Sequence, residues 1–217
     1  MFSEVIPEPI RLLLPGIASV VSSEGFYLAG GTAAALQLGH RQSVDLDFFS
    51  PQPFNPDKLV DRLSELGDVH VVSAARDTLN VHISGVRVSF FQYAYPLIAP
   101  VANYQGLTLA SLRDISLMKI VAVSNRGSRK DFVDLYAICT RVWSLKEALD
   151  SLPRKFGKRY SLAHILRSLT YFEDAEREPE LQLLDPAISW PEVKKFFREE
   201  VLAYMRASKA GEKDFGL

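Results

Sequence analysis

A short apolar segment, two glycines, a helix-forming segment and an alternating segment follow one another within the first 50 residues of the chain. Phe26–Ala29 is apolar and predicts a strand, which runs directly into Gly30 and Gly31. Ala33–Leu38 contains strong helix formers, and Ser43–Phe49 alternates polar and apolar residues with the two-residue period of a strand. A strand, a glycine turn, a helix and a second strand in this order restrict the chain to a fold that mixes α and β structure.

The rest of the chain changes from strands to helices near residue 111. Alternating or apolar segments predict three more strands, at Val69–Ala74, Thr78–Ser84 and Val86–Tyr93. Apolar residues at helical spacing predict helices at 10–21, Lys58–Leu66, Ser111–Ser124, Arg129–Val142, Ser161–Phe172 and Pro191–Ala207. We therefore predict an α/β (α+β) protein. A small mixed sheet flanked by helices occupies residues 1–107, and an α-helical C-terminal region, residues 108–217, packs on this core.

Charge and cysteine content exclude several classes of protein. Lys and Arg number 25 against 26 Asp and Glu, a net charge of −1, so the chain is not a generally basic nucleic-acid coat. Cys139 is the single cysteine, which excludes a disulfide framework and a multi-cysteine zinc site, and its helical spacing predicts a core position. No apolar run approaches the roughly 20 residues that span a bilayer. We expect a soluble, cytoplasmic protein with no membrane partner.

Two aspartates in the alternating segment are candidate metal ligands. Asp45 and Asp47 project from the same face of their predicted strand, about 7 Å apart along it, while Leu46 and Phe48 face the other way. Two carboxylates at this spacing repel each other unless solvent or a cation separates them. A hard cation such as Mg²⁺ prefers oxygen ligands and leaves room for phosphate oxygens. The alternative is an ordinary solvated strand face.

The glycine pair before the predicted helix is a candidate phosphate-binding turn. Gly30 and Gly31 have no Cβ, so a phosphate can approach the backbone N–H groups and the positive end of the helix. Thr32 can cap this helix or donate its hydroxyl to phosphate, and Arg41 and Ser43 in the following loop can also reach phosphate. A phosphate site beside a carboxylate pair is the minimal equipment for phosphoryl or nucleotidyl transfer. A plain turn is the alternative reading.

A second group of charged residues lies on two predicted helices of the C-terminal region. Asp131 and Asp134 are three residues apart and share a helix face, while Lys119 and Arg126 are two helical turns apart. One interpretation is a surface ion pair between Lys130 and Asp134, which contributes only about 0.2–0.5 kcal/mol. The other is a functional cluster, in which the basic groups bind a triphosphate and an acid orients or deprotonates an acceptor.

The two groups together resemble a known superfamily. Ala29–Gly31 followed by Asp45–Phe48 looks like the signature of polymerase-β-type nucleotidyltransferases. The longer run GGTAAALQLGHRQSVDLDFFS is similar to the AbiEii/AbiGii group, several members of which are toxins of type IV toxin–antitoxin systems. Lys119, Arg126 and Lys130–Tyr136 resemble the C-terminal motif of that group. The resemblance implies a sheet of the nucleotidyltransferase type in the N-terminal core.

The resemblance also implies which residues form the site. Candidate catalytic residues are Asp45, Asp47, Lys119, Asp131 and Asp134, of which Asp45 and Asp47 are the candidate metal ligands. Candidate nucleotide-binding residues are Gly30, Gly31, Thr32, Arg41, Ser43, Arg126 and Lys130. The superfamily usually has a third acid on a later strand. Here Ser89 stands at the expected position, and serine is a poor metal ligand.

These features predict transfer of a nucleoside monophosphate from an NTP to an acceptor, with Mg²⁺ as cofactor. The resemblance implies RNA, such as a tRNA end, or protein as the acceptor, and a toxin-like role with a cognate antitoxin protein as partner. Two alternatives remain open. Ser89 favours a weak or inactive module that binds a nucleotide without transferring it, and a small-molecule (antibiotic) nucleotidyltransferase would have similar equipment.

Overall fold

The computed structural model describes residues 1–214, and the side chains of residues 1–208. The strands are β1 Tyr27–Ala29, β2 Asp45–Ser50, β3 Val69–Ala75, β4 Thr78–Ile83, β5 Val86–Gln92, β6 Ala102–Tyr104 and β7 Leu107–Leu109. The helices are α1 Glu8–Ser23, α2 Gly30–Leu38, α3 Pro56–Ser64, α4 Leu112–Arg126, α5 Arg129–Arg141, α6 Leu145–Phe156, α7 Leu162–Ser168, α8 Glu173–Glu176 and α9 Trp190–Asp214, with a 3-10 turn at Ser3–Val5.

Within the described residues, the strands form one seven-stranded sheet in the order β3-β4-β5-β2-β1-β7-β6. β2 is antiparallel to β1 on one side and parallel to β5 on the other. β1 is parallel to β7. The sheet is therefore mixed, and together with its helices it confirms the predicted fold class.

The alternation along β2 separates a buried face of the sheet from a partly exposed one. Leu46 and Phe48 are fully buried, as are Val88 and Phe90 on the neighbouring β5. The rings of Phe48 and Phe90 stack with their centroids 5.4 Å apart. Burial of side chains of this size contributes about 1.5–3 kcal/mol each and fixes the register of β2. The other face of β2 carries Asp45, Asp47 and Phe49, which are all half-buried.

Two compact units divide the chain. The first consists of Met1–Ile115 and Gln182–Leu184 and contains the seven-stranded sheet. The second consists of Ser116–Leu181 and the residues from Asp185 onward, and its described residues are mainly helical. The predicted division into domains between residues 107 and 108 stays a prediction.

The structure contains several elements that the sequence patterns did not predict. β6 and β7 have three residues each, too few to display an alternation. α6 was also missed, although Ser144 and Glu147 form a capping box at its start. α8 is a single helical turn of four residues, and no helix is predicted at its position.

The helix at the C-terminal end is longer than expected. α9 was predicted to end at Ala207 and continues to Asp214. Neither this helix nor any other in the described part of the chain is both long and apolar enough to cross a membrane.

Candidate active site

The turn from β1 into α2 requires glycine. Gly30 has a φ of +68°, a left-handed conformation that costs about 1–2 kcal/mol for a residue with a Cβ. A Cβ added at Gly30 would lie 2.7 Å from Oδ2 of Asp47, which is too close for non-bonded atoms. Gly30 and Gly31 form the first turn of α2, where backbone N–H groups have no partner within the helix. The glycine turn therefore brings helix N–H groups beside a carboxylate.

Asp45 and Asp47 occupy the partly exposed face of β2. Both side chains are half-buried, whereas the residues between and after them are buried. Asp47 lies opposite Ala29 of β1, and its carboxylate contacts the position of Gly30. The alternation of the strand therefore puts both aspartates on one face, and the antiparallel pairing places Asp47 beside the last residue of β1.

Ser89 lies directly beside Asp47 on the parallel strand β5. The register pairs Asp47 with Ser89, and Asp45 with Arg87. Ser89 is buried and Arg87 is exposed. The position at which the family resemblance predicts a third acid therefore carries a hydroxyl. Sequence analysis did not select Arg87, although the alternation of β5 puts Arg87 and Ser89 on one face.

Thr32, Arg41 and Ser43 are buried and support the loop between α2 and β2. The Thr32 hydroxyl bonds to the Ser43 hydroxyl at 2.8 Å and to the backbone carbonyl of Asp45. α2 has no side-chain cap, so Thr32 ties the helix to β2 instead of capping it. Arg41 donates to the carbonyl of Gln42 at 2.8 Å. These contacts favour structural roles for the three side chains.

The second predicted group forms a buried ion-pair network between α4 and α5. Lys119 Nζ lies 2.8 Å from Asp131 Oδ1 and 2.5 Å from Asp134 Oδ2. Arg126 contacts both oxygens of Asp131, with Nε at 2.6 Å and Nη2 at 2.9 Å. Both aspartates are completely buried, and Lys119 is only 5% exposed. The alternative of a surface ion pair does not describe Asp134, since its carboxylate binds Lys119 in the interior.

The electrostatics of this network keep Asp131 ionised. Burial is the largest influence and favours the neutral acid, but the charges and hydrogen bonds of Lys119 and Arg126 together outweigh it. The pKa of Asp131 is therefore lowered. A buried carboxylate that already accepts hydrogen bonds on both oxygens is a weak candidate for a general base. Its geometry fits a group that positions the Lys119 ammonium.

Lys130 and Arg126 are the more accessible members of the second group. Lys130 is half-buried in the first turn of α5, and the Arg126 side chain is 57% exposed. The start of α5 is fixed by Glu178, which accepts hydrogen bonds from the Ser128 hydroxyl at 2.9 Å and from the Arg129 N–H at 2.8 Å. Sequence analysis missed Glu178, because its partners are about 50 residues away along the chain.

The carboxylate pair fits a two-ligand site for a hard cation. Asp45 and Asp47 share a strand face, and the Cβ-free position at Gly30 leaves room against the Asp47 oxygen. Among the residues whose side chains are described, no cluster of three or more His, Cys, Asp or Glu residues is arranged to hold a metal. Oxygen ligands beyond the two carboxylates would have to come from elsewhere, as is usual for Mg²⁺, which keeps waters and phosphate oxygens.

Comparison with known proteins identifies sequence relatives. The family described as "Nucleotidyl transferase AbiEii toxin, Type IV TA system" matches residues 11–101. A protein of Aquifex aeolicus (strain VF5), aq_aa25, is 38% identical over 200 residues, which cover 90% of this chain and 95% of that protein.

Solved structures share the fold at low sequence identity. JHP933 from Helicobacter pylori superimposes with a TM-score of 0.56 at 18% identity, over 93% of this chain and 91% of that one. MenT4, a nucleotidyltransferase toxin from Mycobacterium tuberculosis, gives a TM-score of 0.53 at 15% identity, over 87% of this chain and 82% of its own. The antibiotic-resistance factor ANT(2'')-Ia gives 0.53 at 14% identity, over 71% and 95% respectively. The predicted nucleotidyltransferase-type fold is thereby confirmed.

Proposed function

Since the chain belongs to the AbiEii nucleotidyl transferase toxin family, we propose that it transfers a nucleoside monophosphate from an NTP to an acceptor, with RNA, including tRNA, and protein as candidate acceptors. The observation that carries this proposal is the approach of the Asp47 carboxylate to the Gly30 turn, on the strand face that Asp45 shares. This juxtaposition supports one site for a phosphate and a cation.

The proposed phosphate site is the backbone of Gly30 and Gly31. The N–H groups of the first turn of α2 and the positive end of the helix attract phosphate oxygens. Thr32 holds this turn against β2 through its hydrogen bonds to Ser43 and Asp45. Arg41 and Ser43 act in the same structural way, by fixing the loop that leads to the two aspartates.

Asp45 and Asp47 are the residues proposed to hold Mg²⁺. Their shared face and their carboxylate oxygens match the ligand preference of this ion. When bound, the ion supplies positive charge that stabilises the charge developing in phosphoryl transfer. The two aspartates would orient the ion relative to the glycine turn, because the Asp47 carboxylate approaches Gly30.

For the second group, we propose that Lys119 and Arg126, with Lys130 as a further cation, neutralise the negative charge of phosphate groups. Asp131 and Asp134 hold the Lys119 Nζ between them at 2.8 and 2.5 Å, which keeps it as an oriented ammonium. The buried position and the lowered pKa of Asp131 support this positioning role over proton abstraction from the acceptor.

Incubation with labelled NTPs, Mg²⁺ and total cellular RNA tests this function. Label should enter a macromolecule with the wild type and with Asp68→Asn, an exposed acid on the same unit. Asp45→Asn combined with Asp47→Asn should abolish the transfer while the thermal midpoint of unfolding stays within a few degrees. Equal transfer by the double variant and the wild type would contradict the proposal.

A second candidate function is nucleotide binding without transfer, and the position of Ser89 beside Asp47 favours it. A hydroxyl neither adds negative charge to a metal site nor accepts a proton readily at neutral pH. Under this alternative the wild type binds NTP in a Mg²⁺-dependent, saturable manner and labels no acceptor.

The family membership also supports a toxin-like role in a type IV system and a cognate antitoxin partner. We further propose a cytoplasmic location, because NTPs and the candidate acceptors are present there.

A further inference from the structure

The polar face of the sheet continues from Asp45 across the next three strands. The register pairs Asp45 with Arg87 on β5, Arg87 with His82 on β4, and His82 with His70 on β3. Paired residues on neighbouring strands project to the same face of a sheet. Arg87, His82 and His70 are all exposed, and we refer to these three side chains as the Arg87 row.

The Arg87 row has the chemistry of a site for several phosphates. Arg87 is permanently charged and presents a fork of N–H donors, and each histidine carries at least one N–H donor in either protonation state. Adjacent strands are about 4.8 Å apart, so the three steps from Asp45 to His70 span roughly 14 Å. A single phosphate group is much shorter than this span, whereas a chain of phosphodiesters can follow it.

The sheet order places this row on the side of Asp45 away from the glycine turn. β2 lies between β1, which leads into Gly30, and β5, which carries Arg87. In phosphoryl transfer the attacking and leaving oxygens lie roughly in line, on opposite sides of the transferred phosphorus. A donor triphosphate held at the glycine turn therefore leaves the β5 side of the carboxylate pair for the acceptor.

Aromatic side chains lie on the same face, about 13 Å along the strand from the Arg87 row and separated from it by Ser89. Phe91 is four residues from Arg87 on β5, and its ring centroid is 5.4 Å from that of Phe49 on β2. Tyr93 contacts Phe49 edge to face at 5.5 Å. The three rings are half-buried. Cationic side chains beside aromatic rings are typical of surfaces that bind single-stranded nucleic acid, because bases stack while phosphates pair with the cations.

We propose that the Arg87 row binds the phosphodiester backbone of a single-stranded nucleic-acid acceptor and directs its end to Asp45 and Asp47. This inference rests on the proposed transferase function and specifies its acceptor. Arg87 is the central contact, since it is nearest to the carboxylate pair and has a fixed charge. His82 and His70 extend the contact away from the site.

The experiment measures binding of fluorescently labelled single-stranded RNA to the full-length protein by anisotropy, and binding of NTP in parallel. Arg87→Gln should weaken RNA binding about tenfold or more, the usual effect of losing a hydrogen bond to a charged group. The same substitution should also reduce the slope of the logarithm of RNA affinity against the logarithm of salt concentration by about one. Arg87→Lys should retain part of the affinity. The matched control is Arg76→Gln, which removes an arginine that is 96% exposed in the β3–β4 turn and should change binding less than twofold.

Three results would overturn the proposal. The first is no RNA binding by the wild type, and the second is equal RNA affinity for Arg87→Gln and wild type. The third is loss of NTP affinity in Arg87→Gln with RNA affinity intact, which would assign the row to the donor's phosphates.

The transfer assay separates this proposal from the transferase function. Label that resists ribonuclease and stays with protein would overturn the nucleic-acid acceptor while the transferase function stands. RNA binding that depends on Arg87 in a protein that transfers no label would support the row and contradict the transferase function.

Discussion

Gly30 is subject to two separate restrictions, one from its own backbone and one from Asp47. Its positive φ disfavours any side chain, and its contact with the Asp47 carboxylate leaves no space for one. Gly25 offers a comparison within the same unit, because its φ is +71° and a Cβ there would meet nothing within 4 Å. A comparison of Gly25 with Gly30 therefore separates the effect of backbone strain from the effect of crowding against Asp47.

We predict that Gly30→Ala and Gly25→Ala each lower the free energy of unfolding by about 1–2 kcal/mol through backbone strain. Only Gly30→Ala should also displace the Asp47 carboxylate and so weaken Mg²⁺-dependent NTP binding by tenfold or more. Urea denaturation and calorimetric titration with NTP measure the two effects. Unchanged NTP affinity in Gly30→Ala would show that the turn is structural only.

The sequence predicted the strand face that Asp45 and Asp47 share, but not their contacts. Alternation along β2 was sufficient to assign Asp45 and Asp47 to one face, because the period of a strand is local. The distance between Asp47 and Gly30 depends on the pairing of β1 with β2, which no local pattern specifies. Arg87 was overlooked for the same reason, since only the register of β5 against β2 places it beside Asp45.

At the scale of elements, α4 and α5 are joined by charges in the protein interior. Four side chains, Lys119, Arg126, Asp131 and Asp134, link the two helices. The spacing of the aspartates correctly predicted one shared helix face. The sequence left the choice between a solvated pair and a functional cluster open, because burial is decided by packing against elements distant in the chain.

We predict that Asp131→Asn lowers the free energy of unfolding at neutral pH by about 3–5 kcal/mol, because it leaves the buried Lys119 ammonium incompletely paired. The pKa of Asp131 in the folded protein lies below its ordinary value of 3.8. Its carboxylate therefore stabilises the fold fully above that value, and this contribution is lost as the pH falls through the lowered pKa. The difference between variant and wild type should accordingly shrink in acid.

Denaturation at pH 7 and at several values below pH 4 measures this difference. Asp150→Asn is the control, because its ion pair with Lys146 is exposed and contributes less than about 1 kcal/mol. A constant difference between wild type and Asp131→Asn across this pH range would contradict an ionised Asp131 in the folded state.

The short elements show where sequence patterns fail. β6 and β7 pair with each other over three residues, and β7 joins the sheet through Leu28 of β1. This pairing and the burial of Leu107 and Leu109 depend on distant residues, so neither is visible in a three-residue segment. α6, in contrast, has a recognisable capping box and could have been predicted from Ser144 and Glu147.

At the scale of the whole molecule, each compact unit contains one of the two charged groups that the sequence distinguished. The glycine turn and the carboxylate pair belong to the first unit, and the ion-pair network belongs to the second. Family membership rests on the sequence relatives, and the matching family model covers residues 11–101, whereas the toxin-like role is a proposal that depends on activity.

We predict that induced expression of the wild-type chain slows bacterial growth, because transfer to an essential acceptor would inactivate it. Asp47→Asn expressed to the same level should restore growth, and Asp68→Asn should not. Growth curves with protein levels checked by immunoblot give the comparison. Equal growth with wild type and Asp47→Asn would contradict a toxic effect caused by transfer.

The central claim is that Asp45, Asp47 and the glycine turn form one site for a cation and a triphosphate. Crystals grown with Mn²⁺ and a non-hydrolysable NTP test it through the anomalous scattering of the metal. The account predicts an anomalous peak in contact with both carboxylates, and triphosphate oxygens against the backbone of Gly30 and Gly31. A bound NTP whose metal lies away from both aspartates would contradict it.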